Sequence, residues 1–354
     1  MTRLEAVRRR LREEALSGML ITHYPDQLWL TGFTGEDGAV LVTAKSVVLL
    51  TDGRFAETAA REAPWAKAVV RTSRGPDTLA KAINANGGSR VGIDPATMTV
   101  QQHAGIVASL KKAKLVEAPP IVANLRRTKD RDEIQKIRKA IDVAEAAMKK
   151  IRRHIEVGVT ELEIAARLEF EMRKLGASGP SFPPIVAAGA NASLPHYEPQ
   201  ATKIRNNQLV LVDWGARVDG YVSDLTRVFA VGRVAPKLAR IYAIVDEARR
   251  QAIEAVRPGI TTGALDRVAR QHITKAGFGA QFSHSLGHGI GLEVHEAPGL
   301  RAKSETVIES GMVITIEPGI YVPGLGGVRL EDDVLVTDDG CEVLTRYPIA
   351  SVGT

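Results

Sequence analysis

Cysteine is nearly absent: Cys341 stands alone among 354 residues. A single thiol excludes an internal disulfide framework and any zinc cluster built from cysteines, so a metal bound here must be held by oxygen and nitrogen. Long apolar runs are missing too. Nothing approaches the roughly 18 consecutive apolar residues of a helical bilayer span, so no membrane partner is expected. Aromatic residues make up only 5%, and none interleave with the basic stretches Arg8-Arg9-Arg10 and Lys111-Lys112. Those charges therefore read as solvated helix faces, and no nucleic-acid partner is expected. The opening stretch, Met1 to Glu14, is charged throughout and has no apolar centre or small-residue cleavage site. It predicts no secretory leader, and hence a cytoplasmic address.

With 44% hydrophobic and 25% charged residues, the composition is that of a soluble globular protein, and 354 residues exceed one ordinary core. Two domains are expected. The net charge of +6 is uneven: residues 1–129 carry 19 Lys/Arg against 12 Asp/Glu, leaving 28 against 29 beyond. In the front part, short apolar runs (Gly18–Thr22, Ala39–Thr43, Ser46–Thr51) alternate with helical stretches, which predicts an α/β layer. Gly87-Gly88 and Pro119-Pro120 punctuate its end, and a helix opens near Thr128 or Asp130. The boundary is placed between 1–125 and 126–354. Beyond it, Ile134, Ile137, Ile141, Ala144, Met148 and Ile151 form one apolar stripe of a long amphipathic helix.

The second part holds a diverged repeat. Gly158-Val-Thr-Glu-Leu-Glu opens a helix with a Thr160/Glu163 capping box, and Leu175-Gly176 closes it; Gly259-Ile-Thr-Thr opens a counterpart closed at Ala276-Gly277. A strand ending in an acid follows each: Leu209-Val-Leu-Val-Asp213 and Val313-Ile-Thr-Ile-Glu317. Each half then supplies a second acid, Asp224 or Glu331. Two α+β halves facing each other about a pseudo-twofold would bring four carboxylates to one centre.

A lone acid at a strand end is ordinarily a turn or a cap. Four in apolar company are another matter, because buried charge demands a counter-charge and no matching set of lysines lies among them. His288, in Ser285-Leu-Gly-His-Gly-Ile-Gly, has glycines on both sides that let the backbone approach closely and the ring point inward. Together the five side chains make an oxygen and nitrogen set suited to two divalent ions such as Mn²⁺, Co²⁺ or Zn²⁺. Such a pair lowers the pKa of water and polarises a carbonyl, which is the chemistry of amide or ester hydrolysis.

The series Asp213, Asp224, Gly-His288-Gly, Glu317-Pro-Gly and Glu331 resembles the pita-bread metallopeptidases, the family of methionine aminopeptidase, aminopeptidase P and prolidase. The preceding segment, with Leu30-Thr-Gly-Phe33 and Thr51-Asp-Gly-Arg-Phe55, is similar to the creatinase-type N-terminal domain of the proline-specific branch. The resemblance implies an α+β pita-bread domain behind a smaller α/β domain, in a homodimer that acts on proline-containing peptides. By the same resemblance, Asp213 binds one metal with two oxygens, Asp224 and Glu331 bridge, and His288 and Glu317 complete the other metal. Glu317 doubles as proton shuttle. His196 meets the scissile nitrogen and His295 the tetrahedral intermediate, while His284, Tyr321 and Arg329 line the substrate pocket or support the ligands.

One position departs from the dipeptide-specific pattern. Prolidases that prefer dipeptides carry an arginine shortly after the Val-His-Glu segment; here Gly299 stands in that place, with Arg301 two residues on. The missing cation favours an aminopeptidase P acting on longer chains, with Xaa-Pro dipeptidase as the alternative. Two rivals are a metal-free creatinase-like enzyme, which would not need the five ligands, and a catalytically silent binding protein on the same fold, which would need neither them nor the histidines.

Overall fold

The computed structural model describes residues 1–72, 75–86 and 88–350; Gly87, one half of the Gly87-Gly88 pair, lies outside them. The chain divides into Met1–Arg126 and Arg127–Thr354.

In the first unit six strands form one mixed sheet: β1 (Gly18–Ile21), β2 (Gly38–Thr43), β3 (Val47–Thr51), β4 (Lys67–Val70), β5 (Arg90–Ile93) and β6 (Lys114–Glu117), in the order β4-β3-β2-β1-β5-β6. The inner strands β1, β2 and β3 are buried almost throughout, which is why they read as unbroken apolar runs, whereas the edge strands β4 and β6 are largely open. Leu20, Val48, Leu50, Ile83 and Ile106 make the core beneath. An ion pair of 2.7 Å between Asp26 and Arg126 is buried in this unit.

The second unit opens with the long helix Arg131–Ile151. Asp130 caps it in a reciprocal box with Glu133, satisfying N–H groups that the first turn would leave unpaired. Its stripe, Ile137, Ile141, Ala144, Met148 and Ile151, is buried, and Ile134 is half-buried. It packs against the helix Glu161–Lys174, which starts in the Thr160/Glu163 box and stops where Gly176 takes a φ of 102°. A second pair, Pro236–Ala255 and Thr262–Lys275, stops at Gly277 with a φ of 90°. Both halves of the repeat are thus helix pairs followed by antiparallel sheet.

The first sheet joins Ile185–Ala188, Gln208–Trp214 and Leu225–Val231. Along its central strand Val210, Val212 and Trp214 turn to the first helix pair, while Leu209 and Leu211 turn to the core shared with the second pair. Period-two alternation then puts Asp213 on the Leu209–Leu211 face. Five strands make the second sheet, Gly287–Gly289, Glu296–Leu300, Val313–Ile316, Asp332–Val336 and Cys341–Val343, and a hairpin of Gly319–Val322 with Gly326–Arg329 stands beside it. Ile314, Ile316 and Val334 face the shared core, so Thr315 and its cross-strand partner Asp333 face the other way, and the alternation carries Glu317 and Glu331 with them. Among the described residues no helix is long and apolar enough to cross a membrane.

Candidate metal centre

The two sheets bring the expected acids together through neighbours a hundred residues away. Thr226 lies opposite Asp213 in the first sheet, and its hydroxyl donates to Glu331 Oε2 at 2.6 Å while accepting from Arg329 Nε at 3.1 Å. Arg329 Nη2 donates to Asp213 Oδ2 at 2.6 Å. Three elements are thereby tied at one point, and a cation stands among the acids after all: it is an arginine paired with Asp213, where the sequence showed no lysine. The Asp224 N–H donates to Asp333 Oδ2 at 3.1 Å, which fixes the backbone at the other strand end.

Asp224, His288 and Glu331 each present a ligand atom within 4.8 Å of the others. Glu317 borders this group, with Oε1 3.4 Å from His288 Nε2, while Asp224 Oδ2 is 3.7 Å from the same nitrogen. Asp213 stands next to them with Oδ2 held by Arg329 and its buried Oδ1 left without a hydrogen-bond partner; Asp224 Oδ1 is likewise unpartnered. The His288 tautomer follows from its contacts. Nδ1 lies 3.1 Å from the Gly289 carbonyl, which can only accept, so the proton is on Nδ1 and the Nε2 lone pair faces the carboxylates. Orphaned buried oxygens together with an imidazole lone pair aimed at them fit divalent cations of the hard or borderline class.

The electrostatics agree with that fit. Burial, reinforced by the charges of Glu331 and Asp213, holds the Asp224 carboxyl well above the ordinary range, and burial with Glu317 and Asp213 does the same for Glu331. Burial lifts Glu317 to about 8, although Arg329 pulls the other way. His288 is pushed down to about 3 by burial and then by His295, so its imidazole is neutral and free to ligate. Carboxyls pushed up beside an imidazole pushed down are what the residues of a cation site look like by themselves.

Around this group the remaining expected residues fall into two sets. Arg329, Tyr321 and His284 form a chain: Arg329 Nη1 donates to the Tyr321 hydroxyl at 2.8 Å, and that oxygen is 2.8 Å from His284 Nε2. His284 Nδ1 lies 2.8 Å from the Ser285 carbonyl, so both its nitrogens are engaged within the protein. His196 and His295 are the exposed pair. The His295 ring stands edge-on to His288 with centroids 4.3 Å apart, and His196 follows the turn Gly189–Ser193. Thr226, Thr315 and Asp333 escaped the sequence reading. Their signal was an i, i+2 relation to Asp224, Glu317 and Glu331, which puts them on the acids' face of a strand.

Residues 135–338 match metallopeptidase family M24, and residues 3–128 match the creatinase/prolidase N-terminal domain. An Xaa-Pro dipeptidase of Pyrococcus furiosus is 44% identical over 239 residues, 68% of each chain. The solved structure of an Xaa-Pro dipeptidase from Bacillus anthracis superposes with a TM-score of 0.95 at 39% identity, covering 98% of both chains. An X-Pro aminopeptidase from Thermotoga maritima superposes with a TM-score of 0.89 at 33% identity, over 97% of this chain and 99% of that one.

Proposed function

Because this chain belongs to metallopeptidase family M24 and carries a creatinase/prolidase N-terminal domain, we propose that it is an Xaa-Pro dipeptidase, hydrolysing the bond in front of a C-terminal proline. Relatives that carry the dipeptidase name support this over the aminopeptidase P expected from Gly299. The observation that carries it is at Gly299 itself. Gly299 lies opposite His288 in the second sheet, so the two share a face. Arg301 folds back over the glycine, its Nε 3.2 Å from where a Cβ would stand. Beside His288 there is thus an exposed arginine, whose guanidinium is a group suited to a free carboxylate after proline.

In this reading Asp213, Asp224, His288, Glu317 and Glu331 hold two divalent ions, with Mn²⁺ matching the oxygen-rich donor set. The chemistry supplied by such ions when bound is acidification of water and polarisation of a carbonyl. Glu317 takes the proton from the attacking water, a task suited to a carboxyl that its surroundings lift toward neutral pH. His196 and His295 donate hydrogen bonds to the substrate from separate loops. Arg329 holds Asp213 in place and keeps Tyr321 oriented.

The test is a panel of Xaa-Pro, Xaa-Pro-Yaa and Xaa-Ala peptides with chelator-treated enzyme reloaded with Mn²⁺. Dipeptides ending in proline should be preferred. Arg301→Ala should raise their KM by roughly 10–100-fold, the scale of a hydrogen bond between charged groups, and leave tripeptides nearly unaffected. Tripeptides cleaved as well as dipeptides, with Arg301→Ala silent, would restore the aminopeptidase P reading.

A further inference from the structure

Glu161 is fully buried, yet nothing in the proposed reaction uses it. It is the first residue of the helix Glu161–Lys174, where the positive end of the helix dipole favours a carboxylate. Its own helix start is already served by the Thr160/Glu163 box, and the carboxylate turns to another part of the chain. Oε1 accepts from the Ala188 N–H at 2.7 Å and from Asn191 Nδ2 at 2.9 Å. Oε2 accepts from the Tyr197 hydroxyl at 2.8 Å and the Gln200 N–H at 3.3 Å. Asn191 Nδ2 also reaches the Tyr197 hydroxyl at 2.8 Å, closing a triangle. An ionised carboxylate has about four lone-pair sites, and all four are occupied by donors from the single segment 188–200.

That segment carries His196. Its neighbour on one side is Tyr197, bound to Glu161; on the other is Pro195, whose carbonyl accepts from Arg329 Nη1 at 3.3 Å. The base of the same segment is tied to the helix start by Leu162 N–H to the Gln200 carbonyl and Glu161 N–H to the Thr202 carbonyl, both 3.1 Å. His196 is therefore an exposed side chain on a loop clamped at both adjacent residues. An exposed ring has no packing of its own to fix it, so its placement is inherited from those clamps.

We propose that Glu161 is a positioning residue: through Tyr197 and the 188–200 backbone it sets where His196 meets the substrate. The inference rests on the reading that His196 contacts substrate. A donor displaced by about 1 Å can lose on the order of 10²-fold in rate, so a loosened clamp is read in turnover.

The experiment is a double-mutant cycle in the Mn²⁺-loaded, full-length protein, with kcat, KM, metal content and melting temperature measured for each variant. Glu161→Gln should lower kcat by roughly 10–100-fold with KM and metal content little changed. Placed in His196→Ala, the same substitution should change kcat by less than about twofold, because the residue it positions is gone. Its effect on melting temperature should persist in both backgrounds. Tyr197→Phe, which removes one bond of the clamp without disturbing the buried charge, should show the same pattern at smaller amplitude and serves if Glu161→Gln does not fold. A kcat loss undiminished in His196→Ala overturns the proposal while leaving His196 its role. Wild-type turnover in the single variant His196→Ala removes that role, and the proposal with it.

Discussion

His284 shows how one buried histidine is made to serve as a fixed acceptor. Its Nδ1 proton is given to the Ser285 carbonyl, so Nε2 can only accept, and the Tyr321 hydroxyl must be the donor there. That leaves the phenol oxygen as acceptor for Arg329 and gives the chain Arg329, Tyr321, His284 a single direction. Protonating His284 would break its last link, because Nε2–H would then point a second donor at the Tyr321 oxygen and leave the phenol proton without its acceptor. Burial, then the Arg329 charge, pushes the imidazole down to about 4 from 6.5. With the folded pKa below the unfolded one, the unfolded chain binds the proton first as pH falls. The stability contribution is therefore intact above about 6.5 and is lost between there and about 4. His284→Asn should flatten the dependence of melting temperature on pH in that window, by up to about one proton's worth of slope. Parallel curves for the two proteins would show that His284 is not held neutral.

At the scale of elements, the loop from Gly291 to Glu296 presents His295, and a buried ion pair holds it. Glu296 Oε1 accepts from the backbone N–H groups of Leu292 and Glu293 at 2.8 and 3.1 Å, and Oε2 meets Lys129 Nζ at 3.0 Å. Arg217 reaches the Leu292 carbonyl at 3.0 Å, and the Val222 N–H donates to the Gly291 carbonyl at 2.9 Å. Removing one partner of a buried pair strands the other and typically costs ~3–5 kcal/mol, whereas removing both costs less. Glu296→Gln should accordingly lower the urea midpoint strongly, and adding Lys129→Met should recover part of the loss. Strictly additive effects would mean that the pair is not coupled.

This loop also marks where the sequence stops being legible. The α+β class was readable because its signals are local: a capping box at Thr160/Glu163, apolar strands that end in an acid, and glycines at helix ends; the pita-bread architecture followed from the resemblance carried by the series Asp213 to Glu331. The acids were readable only as a set, four charges in apolar company. What joins them was not. Thr226 to Glu331, Arg329 to Asp213, Lys129 to Glu296 and Glu161 to Tyr197 span 36 to 167 positions, and no spacing rule connects residues so far apart. Peptide length was not readable for a related reason. The missing cation at Gly299 pointed to longer chains, whereas the Arg301 side chain, two residues on, lies against that glycine.

For the molecule as a whole, the division of labour between its two units is open to direct measurement. Met1–Arg126 has its own sheet and a core around Leu20, Leu41, Leu50 and Ile106. Arg127–Thr354 has two apolar clusters, one on each side of the first sheet, and contains every candidate ligand from Asp213 to Glu331. Separate cores predict that each unit folds as a fragment, and the placement of the ligands predicts that only one of them responds to metal. At a Mn²⁺ concentration about 100 times Kd, binding to the folded form alone adds ~2.7 kcal/mol. For a unit of this size that corresponds to a rise of roughly 5–10 °C in melting temperature. The fragment 127–354 should therefore melt cooperatively and shift upward with Mn²⁺, and the shift should vanish in its Glu331→Ala variant. The fragment 1–126 should melt at the same temperature with Mn²⁺ or with chelator. An equal shift in both fragments would mean that the ion binds elsewhere or nonspecifically, and no shift in 127–354 would remove the metal centre from the acids of the second unit.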